Sequence, residues 1–382
     1  MLNTLEDNTT LDKIHRLFID NDLSFVSYRL PNEKKITTML QWQGEPEVIP
    51  DINSLKNKSG FVFAPFYNTS HNPIRMILPD MIVDGTSFNK PIQQDIYLNH
   101  SLKKQLPQEF KWEEKNDLSK EEYLIQVNQL KQMISQKKLD KLVLSRISTE
   151  KKPENFNPSV LFDALHLTYQ DAFVYLLHIP DAGLWCGASP EPLLIVSNNN
   201  ASTVSLAGTR KLVKDYKSEP WDEKEYKEQE IVTTYIDEVL QKFHVKDYTK
   251  SGPHNYSAGK IEHLRTVFNI PLDELKDNMY EFLDELHPTP SVCGLPKNIS
   301  LDLINQTERH EREYYAGFLG PMDTNNHWNL YVNLRCIKAG QNKLAFFLGA
   351  GITEGSEAIK EWEETESKKN TMHSMVNKIT ES

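Results

Sequence analysis

Apolar residues recur along this chain with two different spacings, and each spacing predicts a different kind of element. Over 11–20 and 119–134 they return every three or four residues, which is typical of helices with one buried face. The second of these helices begins with Ser119 and Glu122, which have the spacing of a capping box. Short apolar runs that are broken by Pro or Asn predict strands at 24–30, 61–66 and 74–78.

Between 172 and 212 the pattern predicts strands with no helix between them. The sequence Gly-Ala-Ser-Pro-Glu at 187–191 predicts a tight turn into the next strand, and Gly208 and Thr209 fall at a predicted strand end. Consecutive strands without crossover helices indicate an antiparallel sheet, so the helices before and after them are expected to cover its outside. The predicted fold class is therefore α+β.

Two later stretches complete the predicted elements. The sequence 308–322 is predicted to contain a helix that ends at Gly317, a residue type suited to a helix C-terminus. The sequence 327–339 is predicted to be one strand, whose alternation places Arg335 on the polar side. There Arg335 is either a surface residue of an edge strand or a residue whose guanidinium binds a carboxylate in a bidentate manner.

Two predicted helices carry the same arrangement of acidic residues. One carries Glu225 and Glu228, and the other carries Glu361, Glu364 and Lys368. Residues spaced by three, four and seven positions share one face of a helix. Either helix alone is best interpreted as a solvated acidic face, but the two pairs together could form an oxygen-rich cage for a hard divalent cation. Magnesium is expected before zinc, because no His or Cys cluster has zinc spacing.

Three other polar residues each have two interpretations. Lys141 opens an apolar strand, where it is either a solvated edge residue or, in a closed pocket, a base whose pKa burial lowers. Glu191 follows a Pro and either caps a loop or acts as a general acid with a raised pKa. His263 lies in an alternating stretch, where a structural histidine is more common than a catalytic one.

Composition and charge narrow the class of protein. The chain has 382 residues, of which 38% are hydrophobic, and its net charge of −11 makes a nucleic-acid partner unexpected. No basic start leads into an apolar segment, and no run of about 18 apolar residues occurs, so we expect neither a signal peptide nor a membrane span. Cys186, Cys293 and Cys336 are expected to be buried reduced thiols of a cytoplasmic protein. A monomer is the default expectation.

Nine short segments in the last two thirds of the chain, roughly, form a recognisable series. They are KLVLSR, GASPEPL, LAGTR, KEYKEQEIV, EHLRT, LHPTPSVCG, REYYAGFLG, YVNLRC and GAGITEGSEAIKEWEET. In this order they resemble the chorismate-utilising enzymes, specifically the isochorismate synthases. The resemblance implies an α+β fold of two stacked antiparallel β-sheets with helices on the outside. It also implies a single chorismate-binding catalytic domain over 1–382, in which 1–118 is a more divergent N-terminal portion and 119–382 carries the motifs.

The resemblance further assigns roles in a magnesium-dependent reaction on chorismate. Lys141 would be the general base and Glu191 the general acid. The residues that would hold Mg²⁺ are Glu228 and Glu364 directly, and Glu225 and Glu361 through bound water. The residues that would bind the substrate carboxylates are Gly208, Tyr315, Arg335, Gly349 and Lys368. Those that would line the pocket around the substrate ring are Thr209, His263 and Ser291.

The implied reaction converts chorismate into isochorismate: water attacks C2 on one face of the ring while the C4 hydroxyl leaves from the other. Gln229 departs from the family pattern, which has a histidine after the metal-binding glutamate, and Pro192 replaces a leucine. A salicylate synthase, which also eliminates pyruvate from isochorismate, is the runner-up because it would share most of these residues. A non-catalytic chorismate-binding subunit is disfavoured, since the base, the acid and the metal ligands are all present.

Overall fold

A computed structural model of the chain describes residues 8–89, 117–136, 139–211, 220–258, 261–275 and 278–381. The strands are β1 (Asn8–Thr10), β2 (Ser24–Arg29), β3 (Thr37–Gln41), β4 (Glu47–Ile49), β5 (Gly60–Ala64), β6 (Ile74–Ile77), β7 (Met81–Asp84), β8 (Ser87–Asn89), β9 (Lys141–Lys151), β10 (Phe173–Ile179), β11 (Gly183–Ser189), β12 (Pro192–Ser197), β13 (Asn200–Lys211), β14 (Thr249–Ala258), β15 (Ile261–Pro271), β16 (Gly294–Leu295), β17 (Phe318–Met322), β18 (Trp328–Val332), β19 (Cys336–Ala339) and β20 (Lys343–Ile352). The helices are α1 (Leu11–Asp20), α2 (Lys120–Ser135), α3 (Pro158–Thr168), α4 (Glu223–Lys242), α5 (Leu272–Leu275), α6 (Met279–Leu286), α7 (Lys297–Thr307) and α8 (Ala358–Thr380), with a 3₁₀ turn at Ile52–Leu55. No helix among these is long and apolar enough to cross a membrane.

Most of the strands form two large antiparallel sheets. The first has nine strands in the order β16-β9-β20-β19-β11-β10-β2-β3-β7. The second also has nine, in the order β14-β15-β13-β12-β18-β17-β5-β6-β4. The described strands from the N-terminal portion therefore complete one end of each sheet, while β1 pairs separately with β8.

The two sheets stack face to face through large aromatic residues. Phe173 of the first sheet lies flat on Tyr331 of the second, with ring centroids 4.4 Å apart. Phe63 of the second sheet meets the edge of Trp185 of the first at 5.9 Å. Burial of these side chains drives the association, because each removes a large apolar surface from water. The predicted stack of antiparallel sheets is confirmed.

Helices cover the sheets on the outside, as the sequence predicts. Phe18 of α1, Leu161 of α3 and Met375 of α8 form one buried cluster with residues of the first sheet. Helix α4 packs on β13 and β15 through Val232 and Tyr235, which lie on its apolar face. Helix α2 begins with the predicted capping box, in which Ser119 and Glu122 exchange hydrogen bonds. The described cysteines are buried and form no disulfide.

The chain passes from the first sheet to the second at Pro190 and Glu191. The predicted turn at 187–191 is shorter than expected, because Gly187–Ser189 still belong to β11 and only the two following residues link it to β12. Gly187 is needed within the strand, since a Cβ there would lie 2.8 Å from the ring of Tyr175. Glu191 is thereby placed at the boundary between the sheets.

A second prediction is wrong at the point where the chain passes back from the second sheet to the first. The single strand predicted over 327–339 is two strands, β18 and β19, which belong to different sheets. Between them Asn333 is buried, accepts a hydrogen bond from Tyr175 and donates one to the Tyr314 carbonyl. Arg335 has a left-handed φ of 49°, which turns the chain and breaks the alternation on which the prediction rested.

Two glycine positions also differ from expectation. The helix predicted to end at Gly317 is wrong: α7 ends at Thr307, residues 308–317 contain no helix, and Gly317 precedes β17, where a Cβ would lie 2.0 Å from the Ala64 carbonyl oxygen. Gly208 does not end a strand but forms a bulge inside β13, where the register shifts between Ala207 and Arg210. Its φ of 68° is one that glycine adopts without strain.

Candidate active site

A pocket opens at the end of the stacked sheets where the chain crosses between them. It encloses about 690 Å³, including its open mouth. Ten of the fourteen site residues predicted from the sequence line it: Glu191, Gly208, Glu228, His263, Ser291, Tyr315, Arg335, Gly349, Glu364 and Lys368. These ten residues come from nine separate segments of the chain, between Glu191 and Lys368, and the fold brings them into one cavity.

The other four predicted residues have different placements. Lys141 is buried behind the pocket wall, and Glu225 and Glu361 lie beside the pocket without lining it. Thr209 belongs to β13, but its side chain lies outside the described part of the structure.

Lys141 begins β9, and its side chain is 0% exposed. Its ammonium nitrogen lies 2.7 Å from Oε1 of Glu228. Gly351 on the neighbouring β20 makes room for this pair, because a Cβ there would lie 2.5 Å from the same oxygen. The interpretation of Lys141 as a solvated edge residue is therefore excluded.

Glu228 owes its charge state to the lysines around it. Burial alone would raise its pKa, but the ammonium groups of Lys141 and Lys224 outweigh burial and hold the pKa of Glu228 below its ordinary value. Its side chain, 14% exposed, reaches the pocket from α4. An ionised carboxylate at this position can bind a cation.

Glu191 has the opposite character. It is 3% exposed, and its Oε1 accepts hydrogen bonds from the hydroxyls of Ser291 at 2.5 Å and Thr289 at 3.5 Å. Burial raises the pKa of Glu191 to about 7, although these hydroxyls and the charges of Lys141 and Lys368 act against it. A carboxyl with this pKa holds a proton at neutral pH in a large fraction of molecules, so it can act as an acid.

A second buried ion pair lies beside the pocket. Glu361 on α8 is 1% exposed, and its Oε1 lies 2.7 Å from the ammonium of Lys224 on α4. Burial nevertheless raises the pKa of Glu361, with a contribution from the nearby Glu364. Burial also raises the pKa of Glu225, one turn before Glu228. These carboxyls are crowded together in a region of low dielectric constant.

Lys368 connects α8 to the glycine-lined strand. Its ammonium lies 2.6 Å from Oε1 of Glu364 and donates to the Gly349 carbonyl at 2.8 Å. The absence of a side chain at Gly349 admits the hydroxyl of Tyr315, which would lie 2.9 Å from a Cβ there. The ring of Tyr315 stacks on Phe347 and forms an apolar wall next to the charged groups.

His263 and Arg335 complete the wall on the side of the second sheet. Nδ1 of His263 donates to the Gly208 carbonyl at 2.8 Å, and burial lowers the pKa of this imidazole to about 3, so it is neutral. Arg335 donates to the Thr371 hydroxyl at 3.2 Å and faces the cavity. Within the described part of the chain its guanidinium has donors left for an anionic ligand, which favours the second interpretation of this residue.

The acidic residues form a distributed set rather than a compact metal centre. Among the described residues, no three His, Cys, Asp or Glu side chains are grouped closely enough to hold a metal ion. However, Oε2 of Glu225 and Oε2 of Glu361 are buried and make no hydrogen bond within the described part of the chain. Such oxygens are costly to bury alone, and oxygen ligands are those that Mg²⁺ prefers. The residues present therefore fit a hard cation.

Sequence reasoning missed several residues that the fold adds to the site. Lys224 lies four residues before Glu228 on the same helix, and this spacing was a usable signal. The contact of Thr289 with Glu191 depends on the fold of a loop and had no such signal. Gln229, the departure from the family pattern, points away from the pocket and donates to the carbonyl and hydroxyl oxygens of Ser205 on β13.

With this geometry in view, comparison with known proteins places the chain in a family. The family described as "Chorismate binding enzyme" matches residues 72–377, most of the chain. The chain belongs to this family of chorismate-binding enzymes.

Curated proteins that are similar to this chain carry the name isochorismate synthase. The isochorismate synthase EntC of Escherichia coli strain K12 is 31% identical over 246 residues, which are 61% of this chain and 61% of that protein. The isochorismate synthase MenF of Bacillus subtilis is 27% identical over 261 residues, covering 66% of this chain and 55% of that protein. The matched regions thus span about three fifths of the length of these curated relatives.

Solved structures share the fold over nearly the whole chain. The menaquinone-specific isochorismate synthase MenF of Escherichia coli superposes with a TM-score of 0.75 at 20% identity, over 98% of this chain and 92% of that one. A structure described as that of a 2,3-dihydroxybenzoate-specific isochorismate synthase, DhbC from Bacillus anthracis, superposes with a TM-score of 0.73 at 21% identity. The superposition covers 95% of this chain and 99% of that one. These likenesses confirm the architecture of two antiparallel sheets with outer helices.

Proposed function

We propose that this chain is an isochorismate synthase, an isomerase that converts chorismate into isochorismate in a magnesium-dependent reaction. The observation that carries the proposal is that two kinds of group lie around one pocket: a protonatable Glu191 and the buried ion pair of Lys141 with Glu228. One group can supply a proton and the other can receive one, as the reaction requires. The names of the curated relatives support the same reaction.

The substrate is a dianion, and the protein carries a net charge of −11, so binding needs local positive charge. Arg335 and Lys368 both line the pocket and can bind substrate carboxylates. The carbonyl of Gly349 fixes the ammonium of Lys368, and the hydroxyl of Thr371 fixes the guanidinium of Arg335. The two cations are thereby positioned before the substrate arrives, which lowers the entropic cost of binding.

The reaction exchanges one hydroxyl for another, and its protons balance. Lys141 takes a proton from the attacking water as the new C2–O bond forms. The ring double bonds shift, the C4–O bond breaks, and Glu191 donates its proton to the leaving oxygen, which departs as water. Lys141 acts as a base only as the free amine, whereas in this structure its nitrogen lies 2.7 Å from Oε1 of Glu228. Catalysis therefore requires that the charge of Glu228 be compensated in another way.

Glu228 and Glu364 are the residues that would hold Mg²⁺ directly, with Glu225 and Glu361 behind them. When bound, the cation would neutralise these carboxylates and one substrate carboxylate, and would withdraw electrons from the conjugated acid. The buried oxygens of Glu225 and Glu361 that lack partners support this assignment. Glu191 lies among hydroxyls instead and keeps its proton for the leaving group.

The proposal is tested by separating the products of chorismate on a chromatograph. With Mg²⁺ we expect isochorismate as the product; protein treated with a chelator should be inactive and should recover when Mg²⁺ is added back. Full turnover in the presence of chelator would show that the reaction does not require the metal. Salicylate together with pyruvate would instead identify the chain as a salicylate synthase.

A further inference from the structure

Three lysines neutralise three carboxylates around the proposed cation site. Lys141 pairs with Glu228 at 2.7 Å and Lys368 with Glu364 at 2.6 Å. The third pair joins Lys224 of α4 to Glu361 of α8, also at 2.7 Å. Lysine ammonium groups thus supply positive charge in the surroundings in which a divalent cation would bind.

The three lysines differ in how firmly they are held. Lys141 is completely buried, and Lys368 is bound by the Gly349 carbonyl as well as by its carboxylate. Lys224 is 25% exposed, lies in the first turn of α4, and in the described part of the chain its ammonium hydrogen-bonds to Glu361 alone. Rotation of this one flexible side chain would place its charge in water.

We infer that Lys224 is a removable counter-ion of the cation site, which neutralises Glu361 when no cation is bound and moves into solvent when one binds. Glu361 explains the need for such a group. Its side chain is 1% exposed and its Oε2 makes no hydrogen bond within the described residues, so it would carry an uncompensated buried charge without a cation or Lys224. The inference rests on the proposed function, because it assumes that the cation site is the magnesium site proposed above.

Two opposite effects of Lys224→Met follow from this role. The variant keeps the apolar stem but removes the competing charge, so we expect it to bind Mg²⁺ about threefold to tenfold more tightly, as the loss of one nearby unit charge implies. Without the cation, the same variant should melt at a lower temperature than the wild type, because Glu361 has lost its partner. Saturating Mg²⁺ should therefore raise the melting temperature of the variant more than that of the wild type.

Lys227→Met is the matched control. Lys227 lies one turn along on the same helix and is exposed, so its loss makes the same change in net charge away from Glu361. The measurements are the Kd of Mg²⁺ by calorimetry and the melting temperature with and without Mg²⁺, for all three proteins. In the control we expect Kd to change by less than about twofold, because an exposed charge is screened by water and salt.

The outcomes separate this inference from the proposal on which it rests. If the wild type binds Mg²⁺ while Lys224→Met binds it equally or more weakly, Lys224 is a fixed structural partner, and the inference fails while the proposed function stands. If Lys227→Met binds Mg²⁺ more tightly by the same factor, net charge alone is responsible for the effect. That result would also overturn the inference about Lys224. If the wild type does not bind Mg²⁺, the metal assignment and the inference fail together.

Discussion

The two ends of the pocket enclose the same kind of side chain and give it opposite properties. At the hydroxyl end, Glu191 is hydrogen-bonded by Ser291 and Thr289. At the ammonium end, Glu228 is paired with Lys141. Burial opposes ionisation at both ends, yet the pKa of Glu191 is raised to about 7 while that of Glu228 lies below its ordinary value.

The difference indicates that the partner, and not burial alone, sets the direction of the pKa shift of each carboxyl. A hydroxyl hydrogen bond offsets only part of the cost of removing a carboxylate from water, whereas an ammonium in contact supplies a full opposite charge. Glu191 can therefore keep a proton to donate, and Glu228 stays ionised and able to bind a cation. Two carboxyls whose environments separate their pKa values are the usual basis for dividing acid and anion roles in one active site.

The most severe test of this comparison is Glu191→Gln. The amide preserves the shape and can still accept the Ser291 hydrogen bond, but it cannot deliver a proton to the leaving oxygen. We expect turnover to fall by about 10²–10⁴-fold, the usual contribution of a positioned general acid. Binding of Mg²⁺ and of chorismate, measured by calorimetry, should stay near the wild-type values. Rescue of turnover by excess Mg²⁺ would contradict the assignment of Glu191 as the acid.

A substitution at the ammonium end should impair the protein in a different way, through the binding of Mg²⁺. Glu364→Gln removes a proposed metal ligand, so we expect the affinity for Mg²⁺ to fall by at least about 10–100-fold, the range seen even for groups that only support metal ligands. Excess Mg²⁺ should restore part of the turnover. Glu363→Gln is the control, because Glu363 is exposed and adjacent on the same helix. If the titration of rate against Mg²⁺ is the same for both variants, Glu364 is not a ligand.

Periodicity predicted several elements, but it wrongly predicted a helix within 308–322 and did not predict the places where the chain changes sheets. Helix α1 has the predicted bounds, because the apolar spacing that marks a helix is local. The strand over 327–339 was wrong because its alternation continues through Asn333, where the chain leaves one sheet for the other. Only the tertiary hydrogen bonds of Asn333 fix that crossing, and no local pattern encodes them.

Most of the predicted site residues share one pocket, but the contacts between them were not predictable from the sequence. The residues came from the family resemblance, and ten of them line one pocket. The resemblance did not indicate that Lys141 would be ion-paired with Glu228, or that Lys224 would neutralise Glu361. These contacts join β9 to α4 and α4 to α8, so they depend on how distant segments pack rather than on any motif.

The smallest expected effect probes the hydroxyl end directly through pH. Because Glu191 must be protonated to donate, turnover should fall as the pH rises through about 7, the pKa of its carboxyl. The Ser291 hydroxyl favours the ionised form and lowers that pKa, so Ser291→Ala should raise it and move the alkaline limb to higher pH. We expect a shift of roughly 0.5–1 pH unit, the equivalent of one hydrogen bond of about 0.5–1.5 kcal/mol.

Thr289→Val is the graded counterpart of that variant, since the Thr289 hydroxyl bonds Glu191 at 3.5 Å instead of 2.5 Å and shares its one proton with the Ser291 hydroxyl, 2.5 Å away. The longer contact is weaker, so its loss should move the limb in the same direction by a smaller amount. The measurement is kcat/KM against pH at saturating Mg²⁺ for the wild type and both variants. If the alkaline limb stays in place in Ser291→Ala, or moves to lower pH, the limb reports the titration of another group. Glu191 would then not be the acid of the hydroxyl end.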